Sequence, residues 1–380
     1  MSTEGSITLD QLKSVFEKFD TREQFLSGEP YGSGHINQTY WIKTSPPHSK
    51  TYILQKINHQ IFKNVPKLME NICRVTQHLH QKVTQQGGNP EQEALTVVRT
   101  RENQDPFYQD IQGNYWRMYI FIENTRSYDI VKTPKQAFEG GRAFGQFQRL
   151  LDDLPGGPLF ETIPNFHNIA FRYELFEKAC QEDPRDRVKN ILEEIEFVEK
   201  IYPSMQLVLQ LGLQQKIPLR VTHNDTKFNN VLLDQNDKGL CVIDLDTVMP
   251  GYIHYDFSDA IRTGTNTAAE DEKDLTKIDM NFELFEAYTR AFLGEVGVKL
   301  NQAEWDSLGL SAKLLPFMIG LRFLTDYILG DTYFKTHFEG HNLQRARAQF
   351  ELTRKIMAKE PLILKVISME MRNYQGLISG

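Results

Sequence analysis

Residues 219–247 read Leu219-Arg-Val-Thr-His223-Asn-Asp225-Thr-Lys-Phe-Asn-Asn230-Val-Leu-Leu-Asp234 and, after a short polar break, Leu240-Cys-Val-Ile-Asp244-Leu-Asp246-Thr247. Two apolar runs, 231–233 and 240–243, suit short strands, and Asp234-Gln-Asn-Asp-Lys-Gly239 between them has the Asn, Asp and Gly content of a turn. The reading is a hairpin. It places His223, Asp225 and Asn230 on the loop entering the first strand and Asp244 at the end of the second, so that proton-handling and metal-handling groups gather at one edge.

Such a set suits phosphoryl transfer, which needs one carboxylate to orient and deprotonate an acceptor hydroxyl, and an Asn with another Asp to hold Mg2+ between phosphate oxygens. Isolated loop aspartates are often only turn caps. The joint spacing of Asp225, Asn230 and Asp244 favours the chemical reading. Asp246 lies two residues past Asp244 and shares its face if the strand continues, so it either joins the metal site or caps the turn.

Composition narrows the setting. At 380 residues the chain is long enough for two domains, and 40% hydrophobic with 24% charged residues is globular composition. A net charge of −7 and a pI near 5.9 argue against a dedicated nucleic-acid binder, although an acidic chain can still hold anions in a local basic pocket. Cys73, Cys180 and Cys241 have no metal-ligand spacing and suit a reducing compartment. The opening Met-Ser-Thr-Glu-Gly-Ser lacks the n- and h-regions of an export signal, and the apolar stretch 314–329 is interrupted by Arg322 and Asp326. The expectation is a cytoplasmic protein without a membrane span.

Upstream, Thr8 and Gln11 have capping-box spacing before an amphipathic helix with apolar residues at 9, 12, 15, 16 and 19. A turn containing Gly32-x-Gly34 leads into a strand, and a further strand at 51–57 puts Tyr52, Leu54 and Lys56 on one face. A helix from Val65 to about Lys82 carries Glu70, and strands follow at 94–100 and 115–122. Residues 1–123 are therefore expected to form an α+β lobe, with a small five-stranded antiparallel sheet and one inserted helix. Residues 124–380 are expected to be mainly helical, with helices near 134–151, 168–180, 186–213, 278–294, 302–329 and 341–373. Glycine pairs are often only turn-formers and Glu70 fits a solvated helix position. The order of glycine turn, strand lysine and helix glutamate nevertheless matches the series that cradles nucleotide phosphates: backbone amides over the phosphates, Lys56 on their oxygens, and Glu70 fixing the lysine.

Taken together, these motifs resemble the aminoglycoside phosphotransferase and choline kinase superfamily, whose members share the bilobal protein-kinase fold. The likeness rests on His223-Asn-Asp225-Thr-Lys-Phe-Asn-Asn230 and Val242-Ile-Asp244-Leu. Within it the chain is similar to the N-acetylhexosamine 1-kinase group through four stretches: Gly32-Ser-Gly-His-Ile-Asn37, Tyr52-Ile-Leu-Gln-Lys-Ile-Asn58, Asp244-Leu-Asp-Thr-Val-Met-Pro-Gly251 and Leu321-Arg-Phe-Leu-Thr-Asp-Tyr-Ile-Leu-Gly-Asp-Thr-Tyr-Phe334. The resemblance implies ATP and Mg2+ as cofactors. Asp225 would be the base or orienting carboxylate, Asn230 and Asp244 the magnesium ligands, and Lys56 the phosphate-binding lysine. It also implies that Asp256 braces the catalytic loop and that His223 supports backbone rather than moving protons. The hinge at 119–123, with Phe121, Ile122 and Glu123, would bind adenine. Arg322, Asp331 and Tyr333 would contact the sugar, against the simpler reading that Arg322 pairs with Asp326 along its helix.

The expected activity is ATP-dependent phosphorylation of a small molecule, most simply the anomeric hydroxyl of an N-acetylhexosamine. Two rivals stand beside it: a kinase for another hydroxyl, such as that of an aminoglycoside, choline or a different sugar, and a nucleotide-binding pseudokinase acting as an interaction module. No nucleic-acid or membrane partner is expected.

Overall fold

The computed structural model describes residues 7–32, 36–45 and 50–378. The chain divides into two compact units, the first made of 1–126, 153–163 and 240–249, the second of 127–152, 164–239 and 250–380. The first break thus falls at 126/127 rather than 123/124, and two later segments return to the first unit. Asp244, expected in the second lobe, belongs to the first.

The first unit opens with α1 (Leu9–Phe16), whose capping box is formed: the Thr8 hydroxyl accepts from the Gln11 amide at 3.2 Å, and the Gln11 side chain accepts from the Thr8 amide at 2.8 Å. Strands β1 (Gln24–Pro30), β2 (Gln38–Ser45) and β3 (Tyr52–Ile57) precede α2 (Val65–Gln85) and the single turn α3 (Pro90–Glu93). Then come β4 (Val97–Val98), β5 (Tyr108–Gln109) and β6 (Tyr115–Ile120). The order is β1-β2-β3-β6-β4 with β5 on β6, all antiparallel. The sheet therefore has six strands, not five, because β5 is too short for alternation to announce it.

Register decides which side chains share a side of this sheet. Lys56 stands opposite Trp116 and Leu54 opposite Met118, whereas Gln55 stands opposite Arg117 and Ile53 opposite Tyr119. Tyr52, Leu54, Trp116 and Met118 pack with Leu12, Val15 and Phe16 of α1. The even-numbered side of β3 is consequently the α1 side.

The remaining elements are α4 (Pro134–Leu151), α5 (Ile169–Glu182), α6 (Leu192–Met205), α7 (Leu207–Leu213), β7 (Arg220–Thr222), β8 (Val231–Leu233), β9 (Gly239–Val242), β10 (Met249–Gly251) and α8 (Ile253–Gly264). They continue with α9 (Phe282–Val296), α10 (Gln302–Ser311), α11 (Leu314–Leu329), α12 (His341–Ala358) and α13 (Glu360–Ile378). The turn expected after β8 is present, with the Asp234 amide donating to Lys238 O at 2.9 Å and the Asp234 carboxylate accepting from the Asn236 and Lys238 amides. The core of the second unit centres on α11: Phe317, Leu321 and Leu324 pack with Phe176 of α5, Val198 of α6, Val208 of α7 and Phe350 of α12. No single helix among the described residues is long and apolar enough to cross a membrane.

Helices α4 and α9 approach closely because α4 carries glycines at the contact. A Cβ on Gly141 would lie 2.3 Å from the Tyr288 carbonyl oxygen, and one on Gly145 would lie 2.9 Å from that of Phe292. Backbone cannot yield as a side-chain tip can, so Gly141→Ala is expected to destabilise the protein by about 1–3 kcal/mol in urea denaturation. An unchanged midpoint would contradict the close approach.

Candidate active site

In the second unit, the loop 223–230 between β7 and β8 is held by Asp256 in the first turn of α8. Asp256 is fully buried, and its carboxylate accepts from the His223 amide at 2.8 Å, the Asn224 amide at 2.7 Å and Gln148 Nε2 at 2.5 Å. Its main-chain carbonyl accepts from Thr226 Oγ1 at 2.7 Å. His223 is buried against the rings of Phe144 and Phe147, at 5.4 and 5.7 Å between centroids, and the Asp225 amide lies 3.3 Å from its Nδ1. Both residues thus support the loop from within.

Asp225 meets two side chains. Asn230 Nδ2 donates to the Asp225 carbonyl at 2.9 Å and to its Oδ2 at 3.3 Å, and Lys227 Nζ lies 2.9 Å from Oδ1. Burial pushes the Asp225 carboxyl up, but Lys227 chiefly, with His223 and Arg262, outweighs burial and holds it below the usual carboxylate range. The Asp225 charge in turn raises Lys227. A carboxylate in this state stays ionised as pH falls through its ordinary range, ready to accept a hydrogen bond from an incoming hydroxyl. Lys227→Met removes the main lowering influence, so the acid limb of kcat/KM against pH is expected to move to higher pH. A limb that stays in place would show that Lys227 does not set the Asp225 charge.

Lys227 was not among the residues expected from sequence, although the signal was available, since residues two apart in an extended loop share a side. Arg172 and His167 were missed for a different reason: they lie more than fifty residues upstream, and only the fold brings them to this loop. His167 Nε2 donates to the Asn224 carbonyl at 2.9 Å, and burial holds the imidazole down to about 3, so it is uncharged at neutral pH.

Arg322 on α11 does not pair with Asp326. That carboxylate is filled by the amides of Thr332, Tyr333 and Phe334, at 2.9, 2.8 and 2.9 Å, and by Asn342 Nδ2 at 2.8 Å. The Arg322 guanidinium instead lies against the rings of Phe166, Tyr333 and Phe334, at 5.4, 5.9 and 5.5 Å, and within electrostatic reach of Asp225. Arg172 is near enough to oppose its charge and donates to the Phe166 carbonyl at 3.0 Å. Burial lowers both guanidiniums, Arg172 to about 10 with Arg322 adding to the effect. Neither forms an ion pair among the described residues. Tyr333 is 61% exposed beside them. Asp331 is a correction: it lies 2.6 Å from Arg187 and accepts from Asn342 Nδ2 at 2.9 Å, so its carboxylate is already committed within the protein.

In the first unit, Gly32 has φ +76° with open space around it, which suits glycine alone, and Gly34 lies outside the described residues. Tyr31, Trp41 and Phe121 form an aromatic cluster, with both Tyr31 and Trp41 5.6 Å from Phe121, and Trp41 Nε1 is buried without a hydrogen-bond partner among the described residues. The Phe121 amide donates to Thr51 O at 2.9 Å, so it is not free for a base. Ile122 is buried, and the Glu123 carboxylate accepts from Thr51 Oγ1 at 3.2 Å.

The expected Lys56–Glu70 pair is not formed. Glu70 binds Lys67 at 2.8 Å on an exposed stretch of α2, and Lys56 belongs to the α1 side of the sheet with Tyr52 and Leu54. On the opposite side stands Gln55, whose Oε1 accepts from Arg117 Nε at 2.9 Å. A one-residue step along a strand reverses the face. Asp246 is also settled within this unit: Arg117 Nη1 and Nη2 both bind its carboxylate, the second at 3.0 Å, and Asn37 Nδ2 donates to it at 2.6 Å. Asp244 has left-handed backbone, φ 60° and ψ 60°, at the start of the turn that carries Asp246.

The two groups that the resemblance implies as metal ligands, the Asn230 amide oxygen in the second unit and the Asp244 carboxylate in the first, are hard oxygens, the donor type that suits magnesium. A soft-metal site would need clustered ligands, and no group of three or more His, Cys, Asp or Glu able to hold an ion is found among the described residues.

An antiparallel sheet unit with a glycine turn, followed by a larger helical unit with an H-x-D-x-x-x-x-N loop, defines a kinase-like small-molecule phosphotransferase. Residues 27–288 match the family model described as the phosphotransferase enzyme family, APH, and the chain belongs to that family. Among solved structures it is similar to an aminoglycoside phosphotransferase from Alicyclobacillus acidocaldarius, with TM-score 0.58 and 12% identity over 98% of this chain and 99% of that one. It is similar as well to a choline kinase from Cryptosporidium parvum Iowa II, with TM-score 0.56 and 14% identity over 94% and 97% of the two chains. A third similar structure is an amicoumacin kinase in complex with AMP-PNP and Ca2+, with TM-score 0.53 and 13% identity over 90% and 92%. At these identities the likeness is one of fold.

Proposed function

We propose that the protein transfers the γ-phosphoryl group of ATP, with Mg2+, to the anomeric hydroxyl of an N-acetylhexosamine. The observation that carries the chemistry is Asp225, kept ionised beside Lys227 on a loop fixed by Asp256, with Asn230 anchored to it. Asp225 accepts the hydrogen bond of the acceptor hydroxyl and takes its proton late. An anomeric hydroxyl is more acidic than an ordinary alcohol, so positioning accounts for most of the work. Lys227 offsets charge on the phosphoryl group in flight. Asn230 and Asp244 are assigned to Mg2+ by the spacing of the motif, and the bound ion supplies charge neutralisation between phosphate oxygens. The base of the nucleotide is assigned to the aromatic surface of Tyr31, Trp41 and Phe121.

The nature of the acceptor is argued from Arg172 and Arg322. Two guanidiniums without ion-pair partners among the described residues, Arg322 within electrostatic reach of the reacting carboxylate and Arg172 within reach of Arg322, repel a polycationic aminoglycoside or a quaternary amine, whereas an acidic cleft or an aromatic cage would attract them. A neutral sugar with a carbonyl substituent gives the arginines an acceptor, and the rings of Phe166, Tyr333 and Phe334 offer surface for its apolar side. The test is a phosphate-transfer screen over N-acetylglucosamine, N-acetylgalactosamine, the unacetylated hexosamines, choline and an aminoglycoside, with the product position read by phosphorus NMR. A 1-phosphate from the acetylated sugars is expected, and exclusive transfer to choline or an aminoglycoside would overturn the assignment. Absence of ATP turnover with every acceptor would favour a nucleotide-binding interaction module.

A further inference from the structure

Arg117 is the largest of the fully buried side chains, in the middle of β6, with 1% of its surface exposed. Each of its three guanidinium nitrogens makes a hydrogen bond. Both terminal nitrogens bind the Asp246 carboxylate, and Nε donates to Gln55 Oε1 at 2.9 Å, while Gln55 Nε2 donates in turn to Thr39 Oγ1 at 2.9 Å. Asp246 gains a third donor from Asn37, whose own Oδ1 accepts from the Asn58 amide at 2.9 Å. The backbone of the same turn is tied down twice more: Thr162 Oγ1 donates to the Asp246 carbonyl at 2.8 Å, and Asn71 Nδ2 donates to the Val248 carbonyl at 3.3 Å.

A buried ion pair contributes little net stability over an apolar pair of similar volume, so its retention calls for another role. The turn supplies one. Asp244 sits two residues before Asp246 in left-handed backbone, a conformation that costs a non-glycine residue energy and persists only when its surroundings impose it. Arg117 also lies close enough to Asp244 to feel its charge.

We propose that Arg117 is a positioning residue for the metal ligand Asp244. By gripping Asp246 with a two-pronged contact it holds the 244–248 turn in the one conformation that presents the Asp244 carboxylate, and Asp246 in turn binds Asn37, just before β2. The ordering cation of this unit therefore comes from β6 and not from the lysine of β3. This inference rests on the reading of Asp244 as a metal ligand.

The test measures Mn2+ binding to the enzyme–ADP complex by the loss of the free-Mn2+ EPR signal, alongside thermal unfolding, in Arg117→Met, Arg117→Met/Asp246→Leu, Arg117→Lys and Asp244→Asn. Arg117→Met leaves Asp246 buried without its cation and is expected to lower Tm. The double variant removes both charges and is expected to recover Tm, yet to bind Mn2+ about tenfold or more weakly, as loss of a partner behind a metal ligand does. Arg117→Lys, which keeps the charge and loses the fork, is expected to weaken Mn2+ binding while the KM of the acceptor stays put. Wild-type Mn2+ affinity in a double variant with restored Tm, or in a folded Arg117→Lys protein should the double variant not fold, would reduce Arg117 to a structural pair. Wild-type Mn2+ affinity in Asp244→Asn would instead overturn the metal assignment beneath the inference.

Discussion

Asp225→Asn is expected to lower kcat by about 10²–10⁴-fold while leaving ADP affinity essentially unchanged. The substitution preserves shape, and the stronger Asn230 contact, to the Asp225 main-chain carbonyl at 2.9 Å, does not involve the altered side chain. The anion is what disappears. Without it the acceptor hydroxyl loses its hydrogen-bond acceptor and proton sink, and Lys227 loses the partner that fixes its position 2.9 Å away. Nucleotide contacts are assigned to other residues, so binding measured by calorimetry should separate from turnover measured by ADP release. Full turnover in this variant would remove Asp225 from the chemistry, and parallel loss of ADP binding would mean that the loop, not the carboxylate, had been damaged.

The motif in 219–247 makes the class of fold legible through its resemblance to the aminoglycoside phosphotransferase and choline kinase superfamily, while its spacing alone gives a hairpin with Asp225, Asn230 and Asp244 at one edge. Pairings across distance were harder. Alternation along β3 correctly grouped Lys56 with Tyr52 and Leu54, yet it could not say which side of the sheet α1 would cover, and that placement puts Gln55 and Arg117 opposite. Asp331 looked like a free acceptor because its partner, Arg187, is 144 residues away. Helix α8 escaped notice although it carries Asp256. Its residues from Ile253 to Arg262 are all buried, polar ones included, although Ile253, Phe257, Ala260 and Ile261 carry a helical period that was available in the sequence. Conversely, the expected helix over 186–213 divides into α6 and α7 after Pro203, a break that hydrophobic pattern alone does not mark.

The same burial makes Asp256 the second large lever on the site. Asp256→Ala would leave the His223 amide, the Asn224 amide and Gln148 Nε2 pointing into a space with no acceptor and no water access. Each buried donor stranded in this way costs about 1–3 kcal/mol, so a loss on the order of 3 kcal/mol or more is expected by urea denaturation even after partial relaxation. Asp256→Asn discriminates between stability and positioning. It keeps one carbonyl oxygen for an amide but turns an NH2 group toward another donor, so it should be less destabilised than the alanine variant while the loop, and Asp225 with it, shifts. Enzymes lose about a hundredfold in rate for displacements near 1 Å. A folded Asp256→Asn protein with a much reduced kcat and unchanged ADP affinity is therefore the expected result. Wild-type kcat in that protein would show that the loop holds its catalytic geometry through the Phe144 and Phe147 packing on His223 and the Thr226 and His167 hydrogen bonds, without the Asp256 carboxylate.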